Sequence, residues 1–369
     1  MAVFGKVTQA IGLDIGSEVI RVAQLKPSAD PILIKHGWLK TEGCLVDGEI
    51  TDVEALANQV SNLFRLANIS ERRVILGISN QKVIVRLLTM PYMEKEDLKG
   101  AIQFQAQENI PIPVEDTILD YQVINDYTNE DNERTLQVVL VAAQKEMVQH
   151  HIAALEKAKL RPYIVDVASF ALSRSLLGKE AIVPDDKELA KSTEAIGFLD
   201  IGETITNISI VQNRTPLFSR VMPMGDSTFV KAISDSLAVS LEEARKLKEE
   251  IGFSKQGAGL TDDLKKSQLE VGEKVRNILA DEVLKFTNEV KRSFDYGLTE
   301  NTKNDELSEL LISGVGSLNK NFVSYLKESY PKVSIGDTLS AVTLAPGVQL
   351  EDTTGYAISI GLALRGLDE

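Results

Sequence analysis

Two segments of this chain carry an aspartate two residues ahead of a glycine, in nearly the same surroundings: Ile11-Gly-Leu-Asp-Ile-Gly-Ser-Glu18 and Ile196-Gly-Phe-Leu-Asp-Ile-Gly-Glu-Thr204. Turns of this composition offer backbone amides, at Gly16, Ser17 and Glu18 and at Gly202, Glu203 and Thr204, that cradle the phosphates of a nucleotide as anion-binding nests. The carboxylates of Asp14 and Asp200 are of the right kind to hold a hydrated magnesium ion between two related halves. One Asp-Ile-Gly alone is also an ordinary hairpin turn. Two copies nearly half the chain apart make ligand binding the better reading.

The residues around the turns are those of strands. Val19, Ile20, Val22, Ala23 and Leu25 follow the first turn, and Ile205, Ile208, Ile210 and Val211 follow the second. Short apolar runs precede both, Ile11 to Leu13 and Ile196 to Leu199, so each unit is strand, tight turn, strand, with glycine supplying permissive backbone. A third strand is expected at Pro31 to Ile34 and again at Pro216 to Ser219. Further on, Leu310-Leu-Ile-Ser-Gly-Val-Gly-Ser317 is an apolar strand ending in Gly314-Val-Gly316, ahead of a helical stretch from Asn319 to Ser329. It is not a P-loop, because Asn319 stands where a glycine is needed and Asn321, not Ser or Thr, follows Lys320.

These three elements together resemble the phosphate-1, phosphate-2 and adenosine loops of the actin, Hsp70 and sugar-kinase superfamily. Within it, the whole chain resembles the PilM family of actin-like type IV pilus assembly proteins, which is similar in turn to FtsA. The resemblance is carried by the loops, by Ala106-Gln-Glu-Asn-Ile-Pro-Ile-Pro113 with Leu119-Asp-Tyr121, by Val165-Asp-Val-Ala-Ser-Phe-Ala-Leu172, and by Ser240-Leu-Glu-Glu-Ala-Arg-Lys-Leu-Lys248 with Ile251-Gly252. It implies an α/β chain with a duplicated two-domain actin-like, ribonuclease H-like fold and an FtsA-type inserted subdomain. It implies ATP and magnesium as cofactors, with Gly314, Gly316, Ser317 and Lys248 approaching the nucleoside; a lone helical lysine such as Lys248 is otherwise a solvated charge. It also implies a scaffold role: binding the N-terminal cytoplasmic tail of PilN in a nucleotide-coupled way, with other platform proteins and motor ATPases as further partners.

Three departures from the family pattern bear on ATP turnover and affinity. Ala168 replaces a Glu at the junction that begins with Asp166, leaving Asp166 as the candidate catalytic acid and at most slow hydrolysis expected. Arg245 replaces a Glu used near the nucleoside, and Val315 interrupts a glycine run.

The resemblance divides the chain into subdomain 1A (1–82, 161–195 and 355–369), an insertion 1C (83–160), subdomain 2A (196–226 and 308–354) and subdomain 2B (227–307). Spacing predicts a helix capped by Asp52 with Val53, Leu56, Ala57, Val60, Leu63 and Phe64 on one face, then a strand from Val74 to Ile78. Helices are also expected from about Glu94 to Asn109, Lys145 to Lys159, Leu241 to Glu250 and Glu270 to Tyr296, with flexible connections at Gly252 to Ser267 and a polar loop at Asn301 to Glu306. Trp38 and Tyr121 read as packing residues. Phe104, with Gln103, Gln107 and Ile110, is the candidate wall of a groove for the PilN tail, although Ile110 serves equally well as core. His150-His151 lies on a helix, where neighbours point to different faces, so it is not read as a metal pair.

Composition narrows the alternatives. A chain of 369 residues, 43% hydrophobic, can bury two cores, and a net charge of −14 disfavours nucleic-acid or anionic-membrane binding through the overall field. The single cysteine, Cys44, fits a reducing compartment. No run reaches the roughly 20 apolar residues that a membrane span requires. The expected location is cytoplasmic, peripheral at the inner membrane through a partner and without direct membrane insertion. A small-molecule kinase of the superfamily is the alternative class, but no second substrate motif is found. An FtsA-like division filament is another; it calls for an amphipathic helix beyond the last apolar segment, and the sequence stops at Glu369.

Overall fold

The computed structural model describes residues 8–46, 48–129, 131–178, 194–253, 266–302 and 306–367. Most of the connection expected after Gly252 and the middle of the Asn301 to Glu306 loop lie outside the described residues. The chain begins with β1 (Ala10–Ile15), β2 (Val19–Lys26), β3 (Ile32–Lys40), the two-residue strands β4 (Leu45–Val46) and β5 (Glu49–Ile50), α1 (Val53–Leu66) and β6 (Arg73–Ile78). Next come β7 (Val83–Pro91), α2 (Lys95–Asn109), β8 (Thr117–Thr128), β9 (Arg134–Gln144) and α3 (Lys145–Lys157), then β10 (Arg161–Val167) and α4 (Ala168–Leu176). The second part has β11 (Ala195–Ile201), β12 (Thr206–Gln212), β13 (Thr215–Met222), α5 (Asp226–Leu237), α6 (Leu241–Ile251) and the long α7 (Lys266–Asn301). It ends with β14 (Glu309–Ser313), α8 (Phe322–Ser329), β15 (Val333–Ile335), β16 (Thr343–Leu344) and α9 (Ala357–Leu367).

Duplication is plain in the strand order. One sheet runs β10-β6-β1-β2-β3-β16, and the other contains β15-β14-β11-β12-β13 in the same arrangement. In each, the hairpin strands are antiparallel, β1 to β2 to β3 and β11 to β12 to β13. The strands on the other side of the first strand are parallel to it, β6 and β10 in one half, β14 and β15 in the other. Each sheet buries its own core, with α1 contributing Leu56, Ala57, Val60, Leu63 and Phe64 to the first. Its start follows the capping expectation: Asp52 Oδ1 accepts from Ala55 N at 2.9 Å.

Helices α4 and α9 fill the space between the sheets. Every described α9 residue from Ala357 to Leu364 is buried, and α9 meets α4 so closely that a β-carbon on Gly361 would collide with the Ala171 carbonyl. The segment between β16 and α9 carries Arg21's partner Asp352 on one side and on the other its Thr354 carbonyl accepts from Gly314 N, at 3.4 Å, so it spans both halves.

The insertion does not stand apart. β7 pairs with β13 through Phe218 opposite Arg86 and Ser219 opposite Val85, which joins β7, β9 and β8 to the second half as one eight-stranded sheet. Its own core gathers Leu88, Met90, Leu98, Ile102, Ala106 and Ile110 with β9 residues up to Ala142. Helix α3, grouped with the insertion from sequence, packs instead on α1, and its Met147, Val148, Ala154 and Leu155 enter the first half's core. The reason is register: β9 returns to where β7 departs, Val83 opposite Ala143, so the next helix starts beside the first half. Trp38 is not a packing residue; it is 57% exposed on β3 opposite Arg21. Among the described residues, no helix is long and apolar enough to cross a membrane.

The α4–α9 crossing yields a stability test. Glycine to alanine gains about 1 kcal/mol of helix propensity in a helix interior, whereas overpacking a close-packed contact costs about 1–3 kcal/mol and more where backbone blocks relief. Gly361→Ala should therefore destabilise by about 2 kcal/mol in chemical denaturation. Gly100→Ala, on α2 with nothing near its β-carbon position, should stabilise by about 0.5–1 kcal/mol.

Candidate functional site

The two Asp-Ile-Gly turns have the same geometry. Gly16 N donates to Val19 O at 3.0 Å, and Gly202 N donates to Ile205 O at 2.9 Å. A β-carbon on Gly16 would stand 2.9 Å from Val19 O, and one on Gly202 would stand 2.9 Å from Ile205 O. Neither glycine has a positive φ, so close approach of a carbonyl, rather than the permissive backbone expected from sequence, requires it. Both turns are braced through their carbonyls. Thr41 Oγ1 donates to Ser17 O, Thr41 N to Glu18 O at 2.9 Å, and Gly48 N to the Ser17 hydroxyl at 3.1 Å. In the second turn the start of α5 does this work: Asp226 N donates to Gly202 O at 2.9 Å and Ser227 N to Glu203 O at 2.8 Å. A turn held from behind by its carbonyls presents its remaining amides forward; those of Gly16 and Gly202, expected to face phosphate, are instead spent inside the turns, which leaves residues 17–18 and 203–204 to offer theirs.

Asp14 and Asp200 end β1 and β11 and face each other across the gap between the sheets. Burial pushes the Asp14 carboxyl up to about 7, the charge of Asp200 pushes the same way, and Arg21 opposes both. Burial also raises Asp200, against hydrogen bonds from Ser313 Oγ at 2.8 Å and Asn207 Nδ2 at 3.3 Å. Asn207 in turn accepts from the Ser79 hydroxyl, which ties the end of β6 in the first half to Asp200 in the second. Arg21, opposite Asp14 in the hairpin, reaches Asp352 at 3.4 Å while its buried Nε has no partner. The Thr204 hydroxyl, in the second turn, is likewise buried without a partner. An acid pair, a spare guanidinium donor and a spare hydroxyl beside two braced turns suit a divalent cation with a phosphate chain. Among the described residues, no group of three or more His, Cys, Asp or Glu is gathered, so such a cation would keep much of its water shell.

The third loop closes on this centre. Gly314 has φ +78°, and a β-carbon there would come within 2.5 Å of Ile201 O and 2.9 Å of Asp200 Oδ1, so only glycine fits. A β-carbon on Gly316 would collide with the Ile201 side chain. Ser317 is buried and spends its hydroxyl on Gly314 O at 2.7 Å, which shapes the loop. Lys248 is not a solvated charge: it is 4% exposed and donates to both carboxylate oxygens of Asp226. Asn319 Nδ2 also donates to Asp226 Oδ1, at 2.7 Å, joining α5, α6 and the loop after β14.

Other candidates fall elsewhere. Asp166 lies in the same strand row as Gly77 and Asp14, but Val167 N donates to its Oδ1 at 2.9 Å and Arg174 Nη1 lies 2.7 Å from its Oδ2, an ion contact off the hydrogen-bond axis. On α2, Gln103, Phe104 and Gln107 are exposed, Phe104 by 59%, whereas Ile110 is buried in the insertion's core and forms no outer wall. A cavity of about 440 Å³ on the insertion is lined by Glu94, Lys95 and Leu98 at the start of α2 and by Tyr92, Tyr121 and Val123, away from those exposed residues. His151 is a core residue bonded to Met147 O at 2.9 Å. Sequence reasoning missed Arg21, Asn207, Asp226, Ser313 and Asn319; of these only Arg21 had a signal, its place opposite Asp14 once the turn's register is known.

Comparison with known proteins agrees with this geometry. Residues 12–367 match the family described as type IV pilus assembly protein PilM. The chain is 23% identical over 325 residues to the cell division protein FtsA of Bacillus subtilis (strain 168), covering 79% of this chain and 70% of that protein. A solved structure described as the PilM-PilN type IV pilus biogenesis complex matches with a TM-score of 0.79 at 24% identity, over 99% of this chain and 100% of that one. MreB5 of Spiroplasma citri bound to ADP matches with a TM-score of 0.50 at 13% identity, over 96% and 95%. The fold is therefore the duplicated actin-like one, and the chain belongs to the type IV pilus assembly protein PilM family.

Proposed function

We propose that this protein is an ATP-binding scaffold of the type IV pilus inner-membrane platform, which holds magnesium-ATP between its halves and presents its nucleotide state to the N-terminal cytoplasmic tail of a PilN partner. The observation that carries the nucleotide reading is the meeting of two equivalent braced turns over an acid pair, Asp200 buried and Asp14 half-buried, with the Thr204 hydroxyl and Arg21 Nε unpartnered beside them. Asp14 and Asp200 would hold the cation, the turns at 16–18 and 202–204 the phosphates, and Gly314, Gly316 and Ser317 with the Lys248–Asp226 pair the nucleoside. The cation supplies charge neutralisation between carboxylates and phosphates. Holding is favoured over turnover, because Asp166 is engaged by Arg174 and Ala168, where an acid would stand, is buried at the start of α4. The protein would work at the cytoplasmic face of the inner membrane, attached through its partner.

For the tail, the exposed α2 face of Gln103, Phe104 and Gln107 is the proposed contact, with Ile110 supporting it from below. Nucleotide coupling has a route through β7, which pairs with β13 of the second half and carries the insertion with it.

Three measurements test this reading. Asp14→Asn and Asp200→Asn should each weaken magnesium-ATP binding by about tenfold or more in calorimetry while the fold persists; unchanged affinity in both would remove the site. The second is a pH dependence. Unfolded Asp14 ionises near 3.8 and folded Asp14 near 7, so the stability from its protonated form is complete below the first value, declines as pH rises and is lost above the second. Without divalent cations, Asp14→Asn should flatten the stability profile between about pH 4 and 7 and gain on the order of 4 kcal/mol at the upper end, read by thermal or urea unfolding. Third, a PilN-tail peptide should bind with a Kd of about 1 μM or tighter, and Phe104→Ala with Gln107→Ala should weaken it by about tenfold. Tight binding that survives the double substitution would move the groove elsewhere.

A further inference from the structure

Arg245 stands at the same cleft and has no role in the site described so far. It leaves α6 beside Lys248, yet the two cations are used in opposite ways. Lys248 is buried, and its ammonium is committed to Asp226. The Arg245 side chain is 45% exposed; its Nη2 donates to Glu203 Oε1 at 2.7 Å, and its Nη1 lies 3.8 Å from Asp226 Oδ2, beyond hydrogen-bond length. A guanidinium has five N–H donors, so most of this fork is unspent.

Its surroundings mark the phosphate end of the cleft. Glu203 belongs to the second turn, immediately after Gly202, and Glu18 of the first turn lies within electrostatic reach of the same guanidinium. Each turn therefore sets a carboxylate beside the amides that would receive phosphate, and an arriving polyphosphate meets like charge on both sides. A cation fastened to one of these carboxylates, with donors left over, cancels that repulsion and adds planar, bidentate recognition suited to phosphate.

We propose that Arg245 is a phosphate-reading residue: it stays on Glu203 through Nη2, which fixes its direction, and donates from its remaining nitrogens to the outer phosphates of the bound nucleotide. This rests on the nucleotide site proposed above and deepens it. The affinity of this site then climbs with phosphate number, and it is Arg245, rather than the Lys248–Asp226 pair, that distinguishes a triphosphate from a nucleoside.

The experiment is calorimetry of the full chain with magnesium and, separately, ATP, ADP, AMP and adenosine, for the wild type, Arg245→Ala and Arg245→Lys. Arg245→Ala should lose about 10- to 100-fold for ATP, less for ADP, and nothing for adenosine. Arg245→Lys, which keeps the charge without the fork, should recover part of the loss, and it serves alone if the alanine variant does not fold. Glu203→Gln should weaken ATP by a smaller factor, and combining it with Arg245→Ala should cost less than the product of the two. An equal loss for ATP and adenosine would place Arg245 on the nucleoside and overturn the proposal. Undiminished ATP binding in Arg245→Ala would reduce it to a surface ion pair. A wild type that binds none of the four would instead overturn the nucleotide site itself.

Discussion

Two carboxylates that the fold brings face to face govern this molecule. Asp14 and Asp200 occupy equivalent positions at the ends of β1 and β11, so the duplication that orders both sheets also delivers like charges to one gap. Folding alone gains nothing from that meeting. Burial and mutual repulsion hold Asp14 up to about 7, and the surrounding donors, Ser313, Asn207 and Arg21, relieve the strain in part. Buried charge of this kind persists where something positive arrives to balance it. The turns, the tight glycines and the unpartnered Thr204 hydroxyl all lie around this same point.

The parts of this arrangement legible in sequence were the local ones. A hairpin turn is specified by a handful of adjacent residues, so Asp14-Ile-Gly16 and Asp200-Ile-Gly202 announced themselves, as did the strand ending in Gly314-Val-Gly316 and the Asp52-capped helix. Long-range partners were not. Asp226 matters because α5 begins against the second turn and because Lys248 and Asn319 converge on it from two other elements. No spacing in the chain encodes that convergence. Spacing alone leaves Lys248 a solvated charge, and only the family resemblance sets it at the nucleoside, for the same reason: its partner lies 22 residues away, on a different helix.

Register explains the remaining differences. Strand alternation states which residues share a face only after the pairing is known, so Arg21 became visible as Asp14's neighbour only with the hairpin in place. The union of β7 with β13 had no signal at all, since nothing within either strand specifies its partner. On α2, the candidate groove wall joined Phe104 to Ile110; packing against β9 sends Ile110 inward and leaves Phe104 at the surface.

Under the proposed function, the acid pair also supplies the switching energy. A ligand shifts a two-state equilibrium only by its differential affinity for the two states. Here the difference is built in: drawing the halves together without a cation presses two carboxylates toward each other, and with magnesium bound the same movement becomes favourable. The linkage is mechanical as well as electrostatic, because Asn207 hydrogen-bonds Asp200 and accepts from Ser79, at the mouth of the segment that leads into β7. Movement of the second turn toward the first therefore acts on both attachments of the insertion, the Ser79 end and the β13 ladder. A partner seated on α2 would then sense the nucleotide through strand pairing and one buried amide, with no need for hydrolysis at each transition.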